Sequence, residues 1–123
     1  MRACPSSIPL GLVLAPALLA GCTATGGRST VTVRATDTVC AVSKTKLAPG
    51  SYTFTVTNKG TTTTEVYVYG RSGGGFTRII GEKEDIGPGT SATLRADLAK
   101  GSYQVACKPG QRGDGIRTTV AVG

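Results

Sequence analysis

The chain has 123 residues, and 14 Lys and Arg against 7 Asp and Glu give it a formal charge of +7. It contains no His and no Trp, and its single Met is the first residue. These absences exclude a His-based catalytic triad, a zinc site with imidazole ligands and a metal site with a thioether ligand. The length allows one domain, and 18 glycines predict a chain rich in turns.

The N-terminal segment has the pattern of a targeting signal. Residues 8–20 form an almost wholly apolar run that is too short to span a bilayer as a helix but suits a signal peptide. The sequence Leu19-Ala20-Gly21-Cys22 follows it and resembles the lipobox of bacterial lipoproteins. The resemblance implies a signal peptide at 1–21, acylation of Cys22, and an extracytoplasmic protein anchored to the membrane by lipid. The alternative is a plain secretory signal with an incidental Cys22.

Residues 22–30 are small and polar, which predicts a flexible tether before a folded domain at 31–123. Of the four cysteines, the resemblance to lipoproteins implies that Cys4 leaves with the signal and Cys22 carries the lipid, so Cys40 and Cys107 remain. An even pair in an exported protein favours a disulfide. The alternative is that the two thiolates bind a soft metal such as Cu(I).

From residue 31 onward, apolar residues recur at every second position. Tyr52, Phe54 and Val56 alternate with threonines, and Tyr103, Val105 and Cys107 show the same alternation. This pattern predicts half-buried strands, and turn signals rich in Gly and Pro separate them. No stretch of ten residues has a convincing helical stripe. The predicted fold class is therefore all-β. Because Cys107 is in phase with Tyr103 and Val105, its side chain is predicted to face the core.

Two segments carry a resemblance to cupredoxins. Residues 47–60 match the cupredoxin pattern L-x-x-G-x-x-x-F-x-V-x-N-x-G, and residues 88–110 match P-G-x-S-x-x-L followed by G-x-Y-x-x-x-C-x-P-G. The resemblance covers most of the predicted domain and implies a Greek-key β-sandwich. Blue-copper members place a His after the Asn-x-Gly turn, a second His after the Pro-Gly and a Met soon afterwards. Here Thr61–Thr64, Gln111 and Ile116 stand at those places, so we predict that the chain is not a blue-copper electron carrier.

A finer resemblance is to the EfeO-type cupredoxin-like domain of bacterial iron-uptake proteins. Residues 65–70 and 79–89 carry it, and that domain also has a Cys pair placed as Cys40 and Cys107 are here. Larger members add a C-terminal helical peptidase-like domain with a metal-binding His motif, which these 123 residues lack. The resemblance therefore implies a stand-alone lipoprotein form.

Four of the seven acidic residues lie close together in sequence: Glu65, Glu82, Glu84 and Asp85. Carboxylate oxygens are the ligands that hard cations prefer, and two or three must converge. We therefore consider these four residues as candidate ligands for an iron or copper ion. The competing interpretation is a solvated strand end that Lys83 and Arg78 partly neutralise.

The basic residues are scattered singly, so a nucleic-acid partner is not expected. No pair of nucleophile and base is visible, so an enzyme is not expected either. The sequence favours an accessory module that binds iron or copper, with the membrane, iron-transport components or cell-wall polymers as partners. The alternative is a metal-free β-sandwich that mediates interactions at the cell surface.

Overall fold

A computed structural model of the protein describes residues 29–123. This part of the chain contains nine β-strands and no helix. The strands are β1 (Ser29–Ala35), β2 (Cys40–Val42), β3 (Lys46–Leu47), β4 (Gly50–Asn58), β5 (Thr64–Ser72), β6 (Gly75–Ile86), β7 (Ser91–Leu98), β8 (Gly101–Pro109) and β9 (Ile116–Val122). The predicted all-β class is confirmed.

The strands form two mixed sheets that pack face to face as a β-sandwich. One sheet has four strands in the order β2-β1-β4-β7, and the other has five in the order β3-β9-β8-β5-β6. Two pairings are parallel, β1 with β4 and β3 with β9, and the other pairings are antiparallel.

The alternation read from the sequence explains how the core forms. In β4, Tyr52, Phe54 and Val56 are buried, whereas the threonines between them point outward and are half-buried. Since successive side chains of a strand point to opposite faces, one set fills the space between the sheets. Strands β1, β7 and β8 add Val31, Leu94 and Val105 to the same core.

The N-terminal strand begins two residues earlier than predicted. Ser29 and Thr30, which we had placed in the tether, pair in parallel with Tyr52 and Thr53 of β4. The predicted signal peptide at 1–21, lipidation at Cys22 and the remainder of the tether lie outside the described residues. Within residues 29–123, no helix has the length and apolar character needed to cross a membrane.

The sandwich has two ends. The end where β1 starts also holds the residues between β3 and β4, the β5–β6 turn and the β7–β8 turn, and we call it the entry end. The opposite end, called the far end, holds the connections β4–β5, β6–β7 and β8–β9.

The two sheets approach each other at the edge strands β6 and β7. Gly81 of β6 lies so close to the backbone carbonyl of Arg95 in β7 that a Cβ at this position would collide with it. Phe76, near the start of β6, does not pack against the main core. It packs instead against Tyr67, Tyr69 and Ala106 on the outer face of the five-stranded sheet.

Candidate functional site

The far end is where cupredoxin ligands would be expected, and Asn58 organises it. This residue ends β4 and is 1% exposed. Its Nδ2 donates hydrogen bonds of 2.9 Å to the carbonyls of Thr62 and Ile86, and the Gly60 amide donates to its Oδ1 at 2.9 Å. The Asn-x-Gly turn is therefore fixed by an amide side chain that satisfies three backbone groups.

At the three places where blue-copper members have His or Met, the residues present make hydrogen bonds or pack against the core. The Thr61 amide donates to Asp37 Oδ1 at 2.9 Å, and the Thr61 hydroxyl donates to Asp37 Oδ2 at 2.6 Å. Gln111 Oε1 accepts a 2.8 Å hydrogen bond from the Asp85 amide. Ile116 is partly buried against the core. The hydrogen bonds from Thr61 hold the pKa of the Asp37 carboxyl below its usual value.

Cys107 is joined to Cys40 by a disulfide, which confirms the predicted pairing. The S–S distance is 2.05 Å, and the Cα atoms lie 5.5 Å apart. The bond links β2 of one sheet to β8 of the other, and the two residues are 3% and 0% exposed. The thiolate that a cupredoxin would offer to copper is therefore consumed in a covalent link inside the core.

The predicted carboxylate group lies where β5 and β6 meet, toward the far end. Glu65 is half-buried on β5, and Glu82, Glu84 and Asp85 are exposed on β6. A register shift between Thr64 and Val66 interrupts the β5–β6 pairing here. Asp85 adopts a positive φ of 55°, consistent with a local bulge.

The electrostatics of Glu65 show that these acids influence one another. Burial raises the pKa of the Glu65 carboxyl, and the charges of Glu84, Glu82 and Asp85 raise it further, whereas Lys108 lowers it. Lys108 is directly opposite Glu65 in the β5–β8 ladder. The competing interpretation of the sequence named Lys83 and Arg78 as the neutralising cations, so Lys108 is the cation that sequence reasoning missed.

Two tyrosines lie next to the acids. The sequence analysis did not identify them as part of this cluster. The rings of Tyr67 and Tyr69 stack with centroids 5.3 Å apart and planes within 6°. Lys108 Nζ lies 4.2 Å from the centroid of the Tyr67 ring and donates a 2.7 Å hydrogen bond to the Tyr69 hydroxyl. The Arg117 guanidinium carbon lies 4.6 Å from the Tyr69 centroid. We call this outer surface of the five-stranded sheet the tyrosine face.

The Tyr67 hydroxyl binds one of the candidate metal ligands. It donates a 2.9 Å hydrogen bond to Glu84 Oε1. This bond, together with burial and the charge of Glu65, raises the pKa of Tyr67 above its usual value. A signal for the cluster was present in the sequence, since Glu65, Tyr67 and Tyr69 alternate and must share one side of β5.

The donor set does not fit a cupredoxin copper centre. The cysteine is oxidised, residues 29–123 contain no His and no Met, and Gln111 already accepts a backbone hydrogen bond. Among residues 29–123, no three Cys, Asp or Glu side chains form a group that could hold a metal ion. The structure therefore brings the four acids into one neighbourhood without arranging them as a ligand set.

Comparison with protein families agrees with this fold. The model of the cupredoxin-like domain family matches residues 9–122. The chain belongs to the cupredoxin-like domain family. No curated protein is significantly similar to it in sequence.

Solved cupredoxins share the fold at low identity. Reduced auracyanin from Roseiflexus castenholzii is 19% identical with a TM-score of 0.58, and the match covers 80% of this chain and 99% of auracyanin. Auracyanin A from Chloroflexus aurantiacus, described as a "blue" copper protein, is 14% identical with a TM-score of 0.58, covering 79% and 100%. An azurin from Methylomonas sp. strain J is 16% identical with a TM-score of 0.57, covering 79% and 99%. These likenesses establish the fold alone.

Proposed function

We propose that the protein is an extracytoplasmic, lipid-anchored cupredoxin-like module that binds a partner at the cell surface and does not carry electrons through a blue-copper centre. It has no enzymatic role in this proposal. Of the two functions that the sequence left open, the geometry favours the metal-free interaction module. The accessory module for iron or copper is the second candidate.

One observation carries the proposal. Cys107 occupies the place of the copper-binding cysteine, yet its sulfur is bonded to Cys40 in the closed core. A disulfide sulfur cannot act as a thiolate ligand. Hydrogen bonds at Asn58, Thr61 and Gln111 tie the surrounding loops to one another, so the far end is organised without a metal.

The experiment compares thiol and metal content in one preparation. The protein, purified with its lipid under non-reducing conditions, should show no free thiol and no stoichiometric copper or iron by elemental analysis. After incubation with Cu(II) or Fe(III) followed by gel filtration, the metal content should still be well below one equivalent. One equivalent of tightly bound metal in the oxidised protein would overturn the metal-free proposal.

Lipid anchoring supplies the cell-surface part of the proposal. Its support is the match of residues 19–22 to the lipobox and the disulfide, a bond typical of exported proteins. Radiolabelled palmitate should be incorporated into the expressed protein, whereas Cys22→Ser should abolish incorporation. Equal labelling of both proteins would contradict acylation at Cys22.

The second candidate function rests on the mutual influence of the four acids. Glu84, Glu82 and Asp85 all raise the pKa of Glu65, so their charges lie close enough for a cation to relieve the repulsion. The resemblance to the EfeO-type domain supports iron as the cargo and iron-transport components as partners. A side-chain rearrangement would be needed, since Tyr67 holds Glu84 and Lys108 faces Glu65.

A matched pair of triple variants tests this candidate. Isothermal titration with Fe(III) or Cu(II) would compare the unsubstituted protein with Glu65→Gln/Glu82→Gln/Glu84→Gln and with Asp37→Asn/Asp97→Asn/Asp114→Asn. Each variant removes three acids, but only the first touches the cluster. Binding that is lost only in the first variant supports metal handling. Equal affinity in all three proteins rules out the carboxylate site.

A further inference from the structure

The charged residues of the sandwich are distributed unevenly between its two ends. Only one of the seven acids, Asp97, lies in the half nearer the entry end. The other six lie in the half nearer the far end: Asp37, Glu65, Glu82, Glu84, Asp85 and Asp114. The domain therefore has an electrical polarity along its long axis, which its net charge does not reveal.

The entry-end half carries five exposed basic residues from both sheets and their connections. They are Lys46, Arg71, Arg78, Arg95 and Lys100. Their positions follow from the strand register, because Lys46 pairs with Ala121 and Arg95 pairs with Thr53, close to where β9 ends and β4 begins. The single acid of this half, Asp97, already accepts a 2.6 Å hydrogen bond from the Ser51 hydroxyl.

The far-end half also contains basic residues, but acids balance them. Six basic side chains accompany its six acids: Arg34, Lys59, Lys83, Lys108, Arg112 and Arg117. Lys44, between β2 and β3, belongs to neither end. The positive charge of the domain is therefore concentrated at the end where β1 begins.

The chain reaches the proposed lipid anchor from that same end. Seven residue steps separate Cys22 from Ser29, the first residue of β1. A fully extended chain covers at most about 3.5 Å per residue, so these steps span no more than about 25 Å. With the lipid in the bilayer, the entry end is the part of the domain held closest to the headgroups.

We propose that the entry end docks on the anionic lipid headgroups of the membrane that holds the anchor. Clustered Lys and Arg side chains are attracted to such a surface within about one Debye length. The connections at this end are short and carry small residues, which lets the basic side chains approach a flat surface. Docking would hold the far end, where acidic and basic side chains balance, and the loop residues 59–63 outward, toward the cell envelope.

The proposal rests on the lipid anchor of the proposed function, but the surface can be tested without lipidation. The two sheets and the core described above are built from residues 29–123, so the test uses the chain from residue 22 with Cys22→Ser, which keeps all of them. Its partitioning onto vesicles is measured by sedimentation. We expect an affinity about tenfold or more higher for vesicles with about 30% phosphatidylglycerol than for pure phosphatidylcholine, at about 50 mM salt. This preference should disappear near 0.5 M salt.

Two triple variants of equal net charge separate the effect of where the basic residues lie from the effect of total charge on vesicle binding. Lys46→Gln/Arg95→Gln/Lys100→Gln, at the entry end, should lose most of the preference for anionic vesicles. Lys59→Gln/Lys83→Gln/Arg112→Gln, at the far end, should keep it. Equal losses in the two variants, or no preference in the unsubstituted chain, would overturn the proposal. Binding to soluble polyphosphate without binding to vesicles would also overturn it in favour of an anionic wall polymer.

Orientation is tested on the acylated protein. A headgroup-attached quencher should quench a fluorophore at Ser72→Cys, in the entry end, more strongly than one at Thr62→Cys, in the far end. The difference should shrink at high salt and in the entry-end triple variant. Absence of palmitate labelling at Cys22 would defeat the anchor while leaving the vesicle result intact. Equal quenching at the two positions in the acylated protein would defeat the docking.

Discussion

The outer faces of the two sheets use the same alternating strands but differ in what covers them. On the four-stranded sheet, the outward positions of β1, β4 and β7 carry mostly Ser and Thr, and we call this surface the hydroxyl face. Its aligned members include Thr32, Thr55 and Thr93. On the tyrosine face, Tyr67 and Tyr69 are only 9% and 7% exposed.

The difference shows that the outward side of a β-strand can form a second small core. Long cationic side chains cover apolar rings with their stems while their charged groups reach solvent or the ring faces. Lys108 and Arg117 do this for the tyrosine pair. Within the described part of the chain, the hydroxyl face has no aromatic ring for a cationic side chain to cover. Its side chains therefore contribute mainly strand propensity and local hydrogen bonds, such as that between Thr57 and Ser91.

The largest expected effect on stability comes from removing the Cys40–Cys107 disulfide, which links the two sheets. Replacing Cys40 and Cys107 by Ala should lower the free energy of unfolding by about 4 kcal/mol, because the bond closes a separation of 67 residues. Urea denaturation of the oxidised protein and of the double variant measures this difference. A change below about 1 kcal/mol would mean that the bond does not limit the unfolded chain.

The comparison of the two faces is tested by truncating one side chain on each. Tyr69→Ala should lower the free energy of unfolding by about 2–3 kcal/mol. It removes a buried ring, the stacking contact of that ring with Tyr67, and its contacts with the cations of Lys108 and Arg117. Thr55→Ala, at a half-buried position of the hydroxyl face, should cost about 0.5 kcal/mol. Equal losses in urea denaturation would contradict the distinction between the faces.

A smaller effect on stability is expected from the carboxyl group of Asp37, which follows β1 of the four-stranded sheet. Its pKa is lowered by hydrogen bonds from Thr61, so the ionised form stabilises the fold above the pKa of the unfolded chain. That stability is lost as the pH falls through the folded-state pKa. Asp37→Asn should therefore lower the melting temperature at pH 6 and have little effect near pH 2. Thr61→Ala should reproduce part of the pH 6 loss.

The smallest expected effect has the opposite sign and belongs to the tyrosine face. The pKa of Glu65 is raised, mainly by burial, so the free energy of unfolding falls as the pH rises from the unfolded-state pKa to the folded-state pKa, and the full cost is present above the latter. Glu65→Gln should slightly raise the free energy of unfolding at pH 7 and leave it unchanged at pH 3. Asp114→Asn, outside the cluster, is the control. A loss of stability in Glu65→Gln at pH 7 would show that attraction to Lys108 outweighs the cost of burial.

The alternation of period two was sufficient to predict the all-β class, because it directly reports which side chains face inward. The resemblance to cupredoxins was needed to predict the sandwich. The alternation also placed Cys107 in phase with Tyr103 and Val105, and the disulfide confirms that orientation. The start of β1 was missed by two residues. Ser29 and Thr30 owe their strand conformation to pairing with β4, which no local pattern announces.

Local spacing could place the two tyrosines on one side of β5, but it could not predict that other side chains cover them. Five consecutive residues of β5, from Val66 to Gly70, are buried, so both sides of the strand are covered and alternation no longer separates core from surface. The cover comes from Lys108 and Arg117, about 40 or more positions away along the chain. Only the sheet order, with β8 beside β5 and β9 beyond it, brings them together.

The close approach of Gly81 to the Arg95 carbonyl has a consequence for association between neighbouring molecules. A twelve-residue edge strand such as β6 would normally offer unpaired backbone groups on which another chain could add a strand. Here the missing side chain at Gly81 lets the backbone of β7 lie against the middle of β6. At that point β7 takes up space that an added strand would need, so molecules gathered on one surface at high density are hindered from joining through this edge.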